Sequence, residues 1–112
     1  MSAANDANEN QLPDIDRLIH EPARYNIMAL LYVVDRAEFL FVRNQLHMTP
    51  GNLSAHVSKL EDAQYLLVQK KFIGKKPRTF LKLTDLGKEA FDRYRNEMKL
   101  LFSAPLRVLD NK

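Results

Sequence analysis

A short stretch near the middle of the chain carries polar side chains at spacings that suit contact with a nucleic acid. Thr49 and Pro50 are typical of a helix start, because the threonine hydroxyl can cap a free backbone N–H and proline is tolerated at the first helical position. Leu53, Val57 and Leu60 then recur at i, i+4 and i+7, which predicts one buried stripe. The outward positions are small or polar, so a groove lined by base edges could approach closely. The candidate DNA-contacting residues are Thr49, Gly51, Asn52, Ser54, Ala55, His56, Ser58 and Lys59.

The side chains on this predicted helix have the chemistry that base recognition requires. Asn52 can make a paired contact to adenine, and Lys59 can reach guanine or a phosphate. Ser54 and His56 suit base edges or backbone oxygens, and the free N–H groups at a helix start favour phosphate. The same pattern also fits an ordinary amphipathic surface helix, since such helices carry polar residues on their outward side.

A basic segment follows this helix. Alternation and β-branched or aromatic content predict strands over Leu66–Ile73 and 79–84, joined by a loop of about five residues that contains Gly74 and Pro77. No carboxylate occurs between Leu66 and Leu83. Cations concentrated on a hairpin favour a bound polyanion, although a solubilising hairpin that protects a sheet edge is the alternative. The candidate contacts on the hairpin are Lys70, Lys75, Lys76, Arg78 and Thr79.

The remaining elements position these two features. A helix from Pro22 to about Val34 is apolar on most sides and is expected to lie centrally. The segment 38–46 predicts a short helix with Phe39, Val42 and Leu46 on one side, and only a few residues separate it from Thr49. Two short helices joined in this way form a helix-turn-helix, whose second helix enters the major groove.

A final helix of about seventeen residues is expected to begin at the cap formed by Thr84 and Asp85. It is longer than so small a domain needs, so we expect its far half to pack against a second copy of the chain, the alternative being a helix folded back on its own domain. Pro105 is expected to break the helix and leave an irregular tail at 103–112, and residues 1–13 are expected to form a disordered tail. The candidate dimer contacts are Tyr94, Met98, Leu101 and Phe102.

The composition limits the classes of protein to which this chain can belong. A chain of 112 residues with 46% hydrophobic content predicts one small globular domain. The charge is uneven: Lys and Arg number five against nine Asp and Glu up to Tyr65, and twelve against five after it. The absence of cysteine excludes disulfides and thiolate metal sites. No apolar run approaches the roughly 20 residues of a membrane span, and no secretory signal is evident, so we expect a cytoplasmic protein.

Catalytic and cofactor motifs are not found in the sequence. The three histidines, His20, His47 and His56, lack the spacing of a zinc site. The chain has three glycines and no glycine-rich phosphate loop, and its carboxylates suggest no acid/base pair. We therefore expect a protein that is not an enzyme and that carries no metal or cofactor.

The runs GNLSAHVSKLEDAQYL at 51–66 and KKFIGKKPRTFLKLTDLGKEA at 70–90 closely resemble the winged-helix DNA-binding domain of small prokaryotic transcriptional regulators related to the MarR group. The resemblance covers roughly residues 18–102. It implies a winged-helix fold, dimerisation through terminal helices and one recognition helix per operator half-site. Two positions depart from the pattern. Ala55 stands where an arginine is frequent, and Gln64 stands where a glycine usually ends the recognition helix, which predicts a turn into Tyr65 that is either strained or differently formed.

The predicted fold class is mainly α with a small β-hairpin (α+β), a winged helix-turn-helix at 14–84 extended by a C-terminal dimerisation helix at 85–102. The predicted function is a homodimeric regulator that binds double-stranded DNA at a palindromic operator. A winged helix used only as a protein-interaction module is the alternative. The sequence identifies neither the operator nor a small-molecule effector.

Overall fold

The structure is a computed structural model that describes residues 15–110, with side chains described for residues 15–103. The predicted disordered tail at 1–13 lies outside the described residues. Residues 15–110 form four helices and a small antiparallel sheet of three strands. In chain order the elements are α1 (Pro22–Val34), β1 (Arg36–Glu38), α2 (Phe39–Leu46), α3 (Pro50–Asp62), β2 (Leu66–Ile73), β3 (Lys76–Leu83) and α4 (Asp85–Asp110).

Side-chain caps and proline fix the helix starts. The Glu21 carboxylate accepts a 2.8 Å hydrogen bond from the Arg24 backbone N–H, and Pro22 follows it as the first residue of α1. Thr49 caps α3 in the same way, because its hydroxyl accepts a 3.1 Å bond from the Asn52 backbone N–H. The predicted start of the recognition helix is therefore confirmed.

Three helices end at residues with positive φ that are not glycine: Asp35 (70°), His47 (54°) and Gln64 (65°). At the end of α3, the Tyr65 N–H donates to the Leu60 carbonyl at 3.0 Å and the Gln64 N–H donates to the Glu61 carbonyl at 2.8 Å. These two bonds form the closing motif that usually contains glycine at the position of Gln64. Of the two alternatives predicted for the turn at Gln64, the structure therefore has the strained one.

The sheet has the order β1-β3-β2, and the strand β1 was not predicted. Ala37 pairs with Leu81 at the centre of the β1–β3 ladder. Arg-Ala-Glu has low strand propensity and spans only three residues, so pairing with β3 imposes the extended conformation. The sheet therefore contains the predicted hairpin and one additional edge strand.

The hairpin tip is tighter than the predicted loop of about five residues. Ile73 pairs with Lys76, so the loop contains only Gly74 and Lys75. Gly74 has a φ of 66° and Lys75 is not among the residues with positive φ, a pattern typical of a type II′ turn. The sequence prediction was wrong because it treated Pro77 as a loop residue. Phe72 and Pro77 form the pair next to the turn-closing pair, where no ladder N–H is needed.

The helix α4 spans 26 residues and continues to Asp110. The predicted helix end near residue 102, and the irregular tail after it, were therefore wrong over residues 103–110. Proline removes one backbone hydrogen bond and bends a helix, but the turns on either side keep their own bonds, so Pro105 does not end α4.

The core lies between α1, α3, the inner face of the sheet and the first half of α4. An aromatic contact joins α1 to α4, since the Tyr25 ring lies 5.4 Å from that of Phe91 and 5.9 Å from that of Tyr94. Near the start of α4, Leu86 is 45% exposed, whereas Gly87 faces the core. The buried hydrophobic side chains include Ile19, Ile27, Met28, Leu31, Val42, Leu53, Leu60, Leu66, Leu81 and Leu83.

Candidate nucleic-acid interface

The helix α3 buries one side and exposes the other, as the sequence predicted. Leu53, Val57 and Leu60 are buried in the core. Seven of the eight candidate DNA-contacting residues are exposed, namely Thr49, Gly51, Asn52, Ser54, Ala55, Ser58 and Lys59. Among these seven residues, only Asn52 and Lys59 have side chains larger than that of threonine. A DNA groove can therefore approach the helix backbone.

His56 differs from the other candidates, because its ring is half-buried and bound within the chain. Its Nδ1 lies 3.1 Å from the Arg24 guanidinium and 4.0 Å from the Glu21 carboxylate. A guanidinium can only donate, so in this contact Nδ1 is the acceptor and Nε2 carries the proton. The sequence gave no signal for this contact, since Arg24 is 32 residues away from His56.

A cleft of about 320 Å³ separates α3 from the wing, which we define as β2, β3 and their turn. The cleft brings together two predicted helix residues, Ser54 and Ser58, and two predicted wing residues, Lys70 and Thr79. Lys70 and Thr79 are directly opposite each other in the β2–β3 register. Hydroxyl groups and the Lys70 ammonium group therefore line the same concave surface, together with the Glu61 carboxylate and four apolar side chains.

Arg78 and Lys82 are paired with carboxylates from the segment before α2. The Arg78 guanidinium donates to Glu38 at 2.7 Å, and Lys82 lies 3.8 Å from Asp35. The basic segment has no carboxylate in its own sequence, but β1 places Glu38 beside it. The net positive charge of the wing is therefore lower than its sequence indicates, and Arg78 is not a free cation.

The outer face of the wing places cations over an aromatic ring. The Arg36 guanidinium lies 5.0 Å from the centre of the Phe80 ring, and the Lys71 ammonium lies 5.9 Å from it. By contrast, Lys70, Lys75 and Lys76 are exposed and form no ion pair with any residue that the structure describes. These lysines are the wing cations most readily available to a phosphate.

The turn after α3 is joined to the start of α4. The Thr84 hydroxyl donates to the Gln64 carbonyl at 2.6 Å and accepts the Gly87 N–H at 2.9 Å. The Tyr65 hydroxyl donates to the Asp16 carboxylate at 2.6 Å. Burial is the larger cause, and together with this hydrogen bond it raises the pKa of Tyr65 to about 12. The Thr84 bonds fix the end of α3 relative to α4, and the Tyr65 bond joins it to the segment before α1.

The predicted dimer residues differ in exposure. Tyr94 is only 7% exposed and its hydroxyl lies 2.7 Å from His20 Nδ1, so it packs mainly within its own domain, and its contact with a second copy stays a prediction. The apolar stripe of α4 serves the domain's own core as far as Tyr94, because α1 packs against it there. Met98 and Leu101 are half-buried, whereas Phe102 is 75% exposed.

A largely apolar groove of about 520 Å³ lies between the start of α1 and the second half of α4. Tyr25 and Tyr94 form part of its wall, and burial raises the pKa of Tyr94 above its usual value. The groove is lined by His20, Glu21, Pro22, Tyr25, Asn26, Tyr94, Arg95, Met98, Lys99 and Phe102.

Within the described part of the chain, no group of three or more His, Asp or Glu side chains is arranged to hold a metal ion. The helices of that part also include none that is both long and apolar enough to cross a bilayer.

Residues 23–102 match the family model of the winged helix DNA-binding domain. The chain belongs to this family. The match spans the helix-turn-helix, the wing and the first two thirds of α4, so the predicted MarR-like winged helix is confirmed.

Individual relatives agree with the family match. An uncharacterised protein of Methanocaldococcus jannaschii is 33% identical over 70% of this chain and 85% of its own length. A transcriptional regulator homologue of Pyrococcus horikoshii OT3 has a similar structure, with a TM-score of 0.75, 27% identity, and 92% and 96% of the two chains covered. NadR in complex with 4-hydroxyphenylacetate shares the fold, with a TM-score of 0.64, 23% identity, and coverage of 83% and 68%.

Proposed function

We propose that this protein is a transcriptional regulator that binds a specific duplex sequence as a homodimer. The observation that carries the proposal is the cleft between α3 and the wing, where Ser54, Ser58, Lys70 and Thr79 converge. The exposed polar side of α3 and the unpaired lysines of the wing adjoin this cleft, so one DNA duplex can contact both. The family's DNA-binding domain and the regulator from Pyrococcus horikoshii support this function.

In the proposed complex, α3 lies in the major groove. Asn52 makes the paired contact to adenine, and Lys59 contacts guanine or a phosphate. His56 donates from Nε2, since its Nδ1 is occupied by Arg24. The wing follows the backbone towards the neighbouring minor groove, with Lys75 and Lys76 on phosphates. The protein performs no catalysis, and it acts in the cytoplasm, where this DNA is found.

The second half of α4 supplies the proposed dimer contact. Phe102 is 75% exposed and Leu100 is 50% exposed in this part of the helix. Burying these side chains against a second copy removes apolar surface from water. A two-fold dimer would place its two copies of α3 in successive major grooves about 34 Å apart, which requires a palindromic operator.

Selection from random duplexes at about 0.15 M salt tests the proposed function. We expect a palindromic motif that binds at least about a thousandfold more tightly than scrambled DNA. Asn52→Ala should lower affinity for the motif by about 1–3 kcal/mol and relax preference at one base. If every duplex instead binds equally and weakly, specific recognition is excluded and the protein-interaction module takes its place.

The dimer is tested separately by sedimentation. Phe102→Glu introduces a charge at an exposed position, so we expect it to convert dimer to monomer while the far-ultraviolet circular dichroism stays unchanged. Glu89→Gln, a change at an exposed position earlier in the same helix, is the control and should leave the dimer intact. A wild-type chain that sediments as a monomer at all concentrations would contradict the dimer.

The groove beside α4 favours a second, ligand-responsive version of this function. The complex of NadR with 4-hydroxyphenylacetate shows that a protein with this fold can hold a small aromatic acid. In this chain the groove is apolar but also contains Arg95 and Lys99. A rise in the melting temperature with small aromatic carboxylates, lost in Arg95→Ala, is the expected result.

A further inference from the structure

The wing tip carries an exposed apolar pair that the proposed DNA contacts do not use. Phe72 is 72% exposed, and Pro77, which is also exposed, is its direct partner in the β2–β3 register. The two residues form a non-hydrogen-bonded pair, in which side chains on neighbouring strands lie closest together. The proline ring and the two-residue turn restrict the backbone, so the pair is a rigid apolar projection.

This pair lies on the same face of the wing as the cleft. Side chains alternate along a strand, so Phe72 shares a face with Lys70 and Val68, both of which line the cleft with α3. Ile73 lies on the opposite face. Val68 and Phe72 are four positions apart along β2, a distance of about 13 Å. The pair therefore lies about 13 Å past Val68 on the face of the wing that forms the cleft.

The charge around the pair identifies its occupant. Lys70, Lys75 and Lys76 surround the tip, and none of them has a carboxylate partner within the described residues. Cations around an exposed aromatic ring complement a polyanion that also offers an apolar surface. The minor groove of DNA has both properties, because phosphates border it and sugar and base surfaces form its floor and walls.

The geometry points to the Phe72–Pro77 pair as a wedge that enters the minor groove beside each half-site and partly unstacks one base step. This inference rests on the proposed DNA-binding function and adds a specificity determinant to it. Flexible pyrimidine–purine steps unstack most easily, so the wedge selects such a step at a position that α3 does not contact.

The test compares Phe72→Ala, Phe72→Leu and Ile73→Ala on the selected duplex. The measurements are affinity at several salt concentrations, the bend angle by energy transfer between the duplex ends, and the fluorescence of 2-aminopurine at each flanking step. We expect Phe72→Ala to weaken binding about tenfold, to reduce the bend and to abolish the 2-aminopurine increase. The salt slope should not change, because no charge is lost.

The other variants separate a wedge from a general loss of structure. Phe72→Leu keeps an apolar side chain and should retain most of the bend. Ile73 is 54% exposed on the opposite face of the same tip, so Ile73→Ala is the matched control and should bind within twofold of the wild type. Phe72 makes no core contact, and circular dichroism should show that all three variants fold.

Two results would overturn the wedge. One is a Phe72→Ala variant with wild-type affinity, bend and 2-aminopurine signal; the other is a variant that loses self-association while its DNA bending is unchanged. If selection from random duplexes yields no motif, the proposed sequence-specific function is excluded, but the wedge is not. The wedge is then tested by comparing the same variants on an A·T-rich duplex with one central TA step. A 2-aminopurine signal that Phe72→Ala leaves unchanged on that duplex would also exclude the wedge.

Discussion

The backbone of Gly87 lies against the carbonyl group of Tyr65, with no space for a side chain between them. A Cβ atom built on Gly87 would overlap the Tyr65 carbonyl and come within 3.0 Å of the Tyr65 Cα. The first turn of α4 therefore crosses directly over the turn that ends α3. Since backbone atoms cannot rotate aside as a side chain can, this contact requires glycine.

We expect Gly87→Ala to lower the free energy of unfolding by about 2 kcal/mol, since the clash outweighs the helix propensity that alanine adds. Gly51→Ala is the control, because nothing lies within 4 Å of a Cβ atom at Gly51. That change should be neutral or stabilising by up to about 1 kcal/mol. Urea denaturation measures the change in the free energy of unfolding for both variants. Equal changes at the two glycines would contradict a specific contact with Tyr65.

Gln64→Gly is expected to stabilise the protein by about 1 kcal/mol. Gln64 has a φ of 65°, a conformation that costs an L-residue about 1–2 kcal/mol and that glycine adopts freely. Ala63→Gly is the matched control, since Ala63 has a φ of −81° and gains nothing from glycine. The melting temperature should rise for the first variant and fall for the second. A fall for both would mean that the Gln64 side chain contributes more than its backbone costs.

Local sequence signals predicted the parts of this fold that depend on local interactions. The cap at Thr49 and the buried stripe from Leu53 to Leu60 follow from residues within about two helical turns of each other, whereas the unusual turn at Gln64 was expected from the family resemblance. The exposure of Asn52, Ser58 and Lys59 follows from the same periodicity.

Features that depend on contacts between distant segments were not predicted. Strand β1 exists because Ala37 pairs with Leu81, and no property of Arg-Ala-Glu indicates that pairing. The Arg24 contact to His56 and the Glu38 contact to Arg78 join residues 32 and 40 positions apart. The packing of Tyr94 against Tyr25 was not predicted, because an apolar stripe has the same sequence pattern whether it faces a core or a partner.

The hydrogen bond between Tyr65 and Asp16 predicts a loss of stability at alkaline pH. The pKa of Tyr65 is raised from 10.0 to about 12 in the folded protein, first by burial and then by this bond. Above pH 10 the unfolded chain releases the proton while the folded chain retains it, so the stabilisation is complete below pH 10 and disappears as pH rises to about 12. We expect Tyr65→Phe to be less stable than the wild type by about 1 kcal/mol at pH 8.

Urea denaturation between pH 8 and pH 12 checks this expectation. The difference in the free energy of unfolding between wild type and Tyr65→Phe should be constant up to about pH 10 and should shrink between pH 10 and 12. Lysine titration is common to both proteins and cancels in the difference. Two curves that stay parallel to pH 12 would show that the Tyr65 hydroxyl does not couple stability to pH.

The ion pair between Glu38 and Arg78 predicts that removing a carboxylate strengthens DNA binding. Glu38 holds the Arg78 guanidinium at 2.7 Å, and both side chains are partly exposed, so a phosphate must compete with Glu38 for Arg78. Glu38→Gln should raise affinity about threefold to tenfold on operator and scrambled duplex alike, and it should steepen the salt slope by about one unit. Stability should change by less than about 1 kcal/mol, as for other exposed ion pairs.

A double-mutant cycle with Arg78→Ala separates release of Arg78 from a general increase in positive charge. If Glu38 acts by holding Arg78, the gain from Glu38→Gln should disappear when Arg78 is already alanine. Glu89→Gln makes the same charge change on α4 and should leave affinity within about twofold, because the charge is not beside the wing. An equal gain in the Arg78→Ala background would mean that Glu38 acts on the duplex directly through its negative charge, and Arg78 would then have no special part in the wing contact.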